Sequence, residues 1–149
     1  MPLESFELDH RRVRAPYLRV AASAPDLTKY DLRLCQPNQE ALPTAPLHTL
    51  EHLLAGLLRE RLPVWDLSPM GCRTGFYLSV LAEPAPQEVL EAFRWSLTQV
   101  LEAGEIPGAS PLSCGNAADH DLAAAQRWAA KVLERGLRVQ ETVRLDSLA

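Results

Sequence analysis

This sequence is poor in cysteine, has no surplus of basic residues and carries no long apolar run. Three Cys, at 35, 72 and 114, stand among 149 residues. So few thiols, and an odd number of them, do not make a disulfide framework, and the expected compartment is a reducing cytoplasm. Fifteen Lys and Arg stand against nineteen Asp and Glu, a formal net charge of −4. A phosphate-tracking basic surface is not expected, so nucleic acid is not an expected partner. The longest strictly apolar stretch, Leu53 to Leu58, is far short of the roughly 20 residues a spanning helix needs, so no membrane role is expected. The opening Met-Pro-Leu-Glu-Ser lacks a basic segment followed by an apolar one, so no signal peptide is expected. What is present is an apolar fraction of 47%, which excludes disorder and can bury a real core. Residues 1–149 are expected to form a single domain.

Residues 17–22 and 27–35 read as short strands broken at Pro25-Asp26, and the second alternates imperfectly through Leu27, Tyr30, Leu32 and Leu34. Residues 45–61 read as a helix, with Thr44 as N-cap and Pro46 in its first turn. Leu47, Leu50, Leu54, Leu57 and Leu58 form its apolar stripe, and Pro63 stops it. Residues 64–68 and 75–82 read as strands around the turn Pro69-Met70-Gly71, and residues 87–103 as an amphipathic helix ending at Gly104. A Gly- and Pro-containing loop over 104–116 leads to a third helix over 118–135, ending at Gly136, with a short extended tail over 137–145. Two strand pairs separated by a helix predict an α+β fold. The expected form is a two-layer sandwich, with an antiparallel β-sheet of about four strands covered on one face by helices.

His48-Thr49-Leu50-Glu51-His52 is an H-x-x-E-H sequence on the first helix. Residues four apart lie one turn above each other, so one rigid element can aim both imidazoles at one metal ion. Glu51 sits on the flank of that face, placed to carry protons beside the ion. With four His and nineteen acidic residues, of which twelve are Glu, chance gives this pattern only about 0.01 times in such a chain.

Two His are not a site, since a catalytic divalent ion takes three protein ligands and keeps a position open. Cys114 lies in a loop before a helix, where a thiolate can reach an ion, or where a small hydrophobe can simply be buried. Cys72 stands between Gly71 and Gly75 and next to Arg73, the setting of a reactive thiol. Cys35 ends a strand and reads as core. H-x-x-E-H also matches the inverzincin peptidase signature, with Glu51 activating water. A closed structural metal module, with Cys35 or Cys72 as fourth ligand, is a third possibility.

Several separated motifs together resemble the S-ribosylhomocysteine lyase (LuxS) family. They are Ser5-Phe6-Glu7-Leu8-Asp9-His10, the segment from Asp31 to Asn38, His48 to Leu53, Asp66 to Tyr77, and Cys114-Gly115 followed by His120. They run in the family's order, and the Ser-Pro-Met-Gly-Cys-Arg-Thr-Gly-Phe-Tyr stretch from Ser68 to Tyr77 is the most specific. The resemblance implies His48, His52 and Cys114 as metal ligands, with Fe²⁺ as the expected ion and Zn²⁺ or Co²⁺ as possible substitutes. It implies Cys72 and Glu51 as the catalytic proton carriers. It implies cleavage of the substrate's thioether to homocysteine and 4,5-dihydroxy-2,3-pentanedione, the autoinducer-2 precursor. It places Ser5, His10, Arg33 and Asp66 around the substrate, and implies a homodimer with sites at the interface, the N-terminal segment coming from the second subunit. Arg59 lies three helical turns from His48 on the same face, where it can pair with the homocysteine carboxylate. The sequence departs from the family pattern at Leu34, Ser113 and Asp121.

Overall fold

A computed structural model describes residues 3–145, so Met1 and Pro2, part of the reading of the N-terminus, lie outside the described residues. Strands β1 (Tyr17–Ala24) and β2 (Leu27–Arg33) pair antiparallel, with Tyr17 opposite Arg33 and Ala24 opposite Leu27. Between them Asp26 takes a φ of 58°, a left-handed conformation that Asp tolerates in tight turns. Side chains alternate across a strand. Leu18, Tyr30 and Leu32 therefore join the main core, while Tyr17, Arg19, Asp31 and Arg33 take the opposite face, and all seven are buried.

Helix α1 (Thr44–Arg59) buries Leu47, Leu50, Leu54 and Leu58, each of which contributes about 1.5–3 kcal/mol relative to exposure. The expected Thr44 cap is not formed. The cap position is Pro43, which has no side-chain hydrogen bond, and the Thr44 hydroxyl donates instead to Asp119 Oδ1 at 3.2 Å. Strands β3 (Val64–Pro69) and β4 (Gly75–Val80) follow, and β4 inserts between β3 and β2. Gly75 is obligatory there, because a Cβ would stand 2.1 Å from the Leu32 carbonyl oxygen.

Helices α2 (Pro86–Leu101) and α3 (Leu122–Arg135) complete the helical layer. The third helix starts later than expected because Asp121 caps it, accepting from the Ala124 N–H at 2.9 Å and leaving residues 118–121 unwound. Gly136, with φ of 87°, turns the chain into β5 (Arg138–Val139), which pairs parallel with β1. The sheet therefore has five strands in the order β3-β4-β2-β1-β5 and is mixed, where about four antiparallel strands were expected. The α+β class and the helix-covered face are as expected. The other face is covered in part by the N-terminal segment, where Leu8, Val13 and Tyr17 form a smaller cluster with Val143.

Candidate metal centre

The first turns of α1 present His48 and His52 on one face, and the 104–121 loop brings Cys114 and His120 against them. One donor atom from each of the four residues lies within 4.8 Å of the others. Cys114 Sγ is 3.4 Å from His48 Nε2 and 3.7 Å from His120 Nε2. Bond lengths of about 2.0–2.3 Å around a tetrahedral ion put donors roughly 3.3–3.7 Å apart, so the Cys114–His48 separation suits a shared divalent metal and the cluster as a whole is close enough to hold one. Soft thiolate with imidazole suits zinc, iron or cobalt rather than calcium or magnesium.

The backbone holds two of the rings in ligating orientation. His48 Nδ1–H donates to the Asp119 carbonyl at 2.7 Å, and His52 Nδ1–H to the Pro107 carbonyl at 2.8 Å. A carbonyl only accepts, so each proton sits on Nδ1 and each Nε2 lone pair is free for an ion. Gly108, at φ of 66°, lets the chain turn directly beside the His52 ring. Cys114 is held by a tight turn in which its N–H donates to the Ser110 carbonyl at 2.8 Å. His120 stacks on His48 with ring centroids 3.9 Å apart. Burial, then the two neighbouring imidazoles, lowers the His120 pKa, which favours its neutral form.

A second site lies on the other face of the sheet. His10, Arg33, Cys72 and Thr74 line a cavity of about 390 Å³ whose wall includes none of the metal-centre residues and not Glu51. Cys72 Sγ is 3.1 Å from Thr74 Oγ1 and 4.0 Å from an Arg33 guanidinium nitrogen. Arg33 also donates to Thr74 Oγ1 at 2.9 Å, which frees the threonine hydrogen to point at the sulfur. The cation beside Cys72 is therefore Arg33. Arg73, adjacent in sequence, turns away at φ of 61° and donates to the Leu42 carbonyl at 2.7 Å. His10 Nδ1 donates to the Leu8 carbonyl at 2.9 Å, leaving Nε2 free at the cavity wall.

Arg33 is held by Asp31, which receives its Nε–H at 3.0 Å and its Nη2–H at 2.9 Å. The same carboxylate accepts from the Tyr17 hydroxyl at 2.9 Å and Arg19 Nε at 3.1 Å. Arg19 Nη2 lies 3.0 Å from Asp31 Oδ2 as well, an ionic contact without a hydrogen bond. Burial opposes the charge on Arg33, yet the Asp31 carboxylate overrides it and keeps the guanidinium firmly protonated.

The remaining candidates are dispersed. Glu51 is half-buried beside His52, with no ion-pair partner among the described residues. Ser5 lies in a short 3-10 turn, Glu4–Phe6. Arg59 donates to the Ala55 carbonyl at 2.7 Å and the Trp65 carbonyl at 3.3 Å, tying the end of α1 to β3. Asp66 accepts from the Ser68 hydroxyl on the exposed edge strand. The sequence by itself assigns no role to His120. Its position six residues after Cys114 was the available signal, but that loop has no periodic geometry to interpret.

An α+β sandwich with a His- and Cys-lined cluster able to hold a divalent metal at the start of its first helix describes a small enzyme. The chain belongs to the S-ribosylhomocysteinase (LuxS) family, which matches it over residues 3–143. Similar proteins include the S-ribosylhomocysteine lyase of Thermus thermophilus, 60% identical over 151 aligned positions that cover 97% of each chain. That of Deinococcus radiodurans is 52% identical over 97% of this chain and 96% of its own. That of Clostridium botulinum is 51% identical over 90% and 93%.

Proposed function

We propose that this chain, as one catalytic domain over residues 1–149, cleaves the thioether of S-ribosylhomocysteine to homocysteine and 4,5-dihydroxy-2,3-pentanedione. Convergence of His48, His52 and Cys114 on one point carries this reading, together with family membership. The bond to be broken joins sulfur to C5 of a ribose. It has no acidic neighbour until the carbonyl has moved from C1 through C2 to C3. The C4 proton then becomes removable, and β-elimination expels the thiolate.

His48, His52 and Cys114 would hold a divalent ion, which would supply Lewis-acid polarisation of the sugar's carbonyl oxygens. Fe²⁺ is the working ion in this proposal, with Zn²⁺ or Co²⁺ able to replace it. Cys72 moves carbon-bound protons, helped by Arg33 and the Thr74 hydroxyl, both of which can stabilise negative charge on its sulfur. Glu51 moves the oxygen-bound protons. Ser5, His10, Arg33, Arg59 and Asp66 are assigned to the polar groups of the substrate.

The two halves of this machinery line different surfaces of one chain, which supports a homodimer. An isologous pair can set the His10–Arg33–Cys72 cavity of one copy against the metal centre of the other. Exposed Phe6, Trp65 and Leu112, at 73%, 65% and 98%, supply apolar surface for such a contact. No helix among the described residues is long and apolar enough to cross a membrane, and the net charge of −4 supports neither a membrane nor a nucleic-acid partner. A ferrous centre and an exposed Cys72 fit a reducing cytoplasm.

The decisive test is thiol release from S-ribosylhomocysteine by the metal-loaded protein. Free homocysteine should appear with wild type. Cys72→Ser should keep one metal per chain and release none. Wild-type protein loaded with Fe²⁺ or Co²⁺ that releases no thiol overturns the reading.

A further inference from the structure

Four donor atoms converge at the metal centre, and by distance alone His120 is as good a ligand as the other three. A fourth protein ligand would close the site and leave no position for substrate. The hydrogen bonds around His120 decide the matter differently. Its Nδ1 lies 2.9 Å from Thr49 Oγ1, and the same oxygen accepts the Asp121 N–H at 3.0 Å. Thr49 is fully buried in the second turn of α1. A hydroxyl has one hydrogen and two lone pairs, and the Asp121 N–H occupies one lone pair. If Nδ1–H donated to the other, the threonine hydrogen would be buried without an acceptor among the described residues. The hydroxyl therefore donates to Nδ1, and the imidazole proton sits on Nε2.

This is the opposite arrangement from His48 and His52, whose Nδ1 atoms face carbonyls. Their Nε2 atoms are bare. That of His120 carries a hydrogen and lies 3.7 Å from Cys114 Sγ. We infer that His120 is a positioning residue rather than a fourth ligand, its Nε2–H donating to the Cys114 thiolate under the control of Thr49. The donor withdraws charge from the sulfur and fixes its direction, while the fourth position stays open. The helix cap supports the arrangement, since Asp121 unwinds residues 118–121 and its own N–H locks the Thr49 hydroxyl.

The inference rests on the metal reading, and one experiment separates the two. Zinc-loaded protein labelled with ¹⁵N reports the protonation and ligation of each ring nitrogen by long-range proton–nitrogen correlation. His48 and His52 should show Nδ1–H and metal-shifted Nε2. His120 should show Nε2–H and an unprotonated, unshifted Nδ1. A metal-shifted Nε2 at His120, or a proton on its Nδ1, overturns the inference. Absence of metal shifts at His48 and His52 instead defeats the metal reading itself.

Cobalt-loaded variants give a second readout. His120→Gln can still donate an N–H to sulfur and should keep the sulfur-to-cobalt charge-transfer band near its wild-type energy. His120→Phe should move the band to lower energy, with one cobalt still bound and affinity weakened by about 10–100-fold, as for other supporting hydrogen bonds. A loss of one nitrogen ligand in both variants, counted by X-ray absorption, overturns the inference.

Discussion

Arg33 and Asp31 form a two-pronged ion pair, Nε–Oδ1 at 3.0 Å and Nη2–Oδ2 at 2.9 Å, with both side chains at most 1% exposed. The two residues stand two apart on β2, so their side chains share the face opposite the helices. The pair aims a third guanidinium nitrogen at Thr74 and Cys72.

Asp31→Asn should destabilise the fold by about 3–5 kcal/mol, because it leaves two buried guanidinium groups without their counter-charge. Urea unfolding measures this. Arg33→Lys keeps the charge but loses the two-pronged geometry. It should lower turnover more than it lowers metal content, since Arg33 does not touch the metal centre.

If one copy's Cys72 works on the other copy's metal centre, two dead variants should rescue each other. Cys72→Ser and Glu51→Gln should each be inactive alone. Refolded together in equal amounts, they should recover about one quarter of wild-type activity, since half of the pairs are mixed and each mixed pair has one intact site. No recovery, with mixed dimers verified by mass spectrometry, would place both residues in one chain's site.

The three thiols should be alkylated in a fixed order. Cys72 is exposed and should react first in metal-loaded protein. Cys114 should react only after chelation, because the ion occupies its sulfur. Cys35 is buried, its sulfur near the Glu40 carbonyl, and should react only on unfolding. Mass spectrometry after timed iodoacetamide exposure reads all three.

Chelation should also lower the melting temperature, since an ion that binds only the folded chain stabilises it by mass action. Hydrogen exchange should rise mainly over 104–121, whose Cys114, Pro107 and Asp119 groups hold or orient the donors. The β1–β2–β4 ladders supply neither the donors nor the carbonyls that orient them and should stay protected.

Alkaline stability should depend on Cys35. Burial, with the Glu40 charge adding to it, pushes this thiol up from 9.0 to about 11. The folded chain thus keeps a proton that the unfolded chain releases. Its contribution is complete below pH 9.0 and is lost as pH rises towards about 11. Cys35→Ala should remove up to one proton from the slope of stability against pH in that window, measured by urea unfolding.

Most elements were legible because periodicity records which face is buried. The Leu stripe of α1 and the alternation of β2 each depend on neighbours a few residues away. β5 was not legible as a strand, since two residues carry no period and the strand exists only by pairing with β1. The start of α3 shifted because Asp121 out-competes helix propensity over 118–121 by capping. The cation beside Cys72 was misread as Arg73, because adjacency in sequence says nothing of direction in a turn where φ is positive.

The sequence by itself determined the α+β class, the H-x-x-E-H pair and the family. Each rests on local spacing, or on motifs whose order survives without coordinates. Only the tertiary structure decided that Cys114 and His120 reach His48, that Arg33 serves Cys72, and that Cys72 and the metal centre occupy different surfaces of one chain. It also set His120 Nδ1 against a threonine hydroxyl, where the Nδ1 atoms of His48 and His52 face backbone carbonyls. That distinction turns on where one buried threonine hydrogen can point, and the direction is set by groups 71 and 72 residues away in the chain.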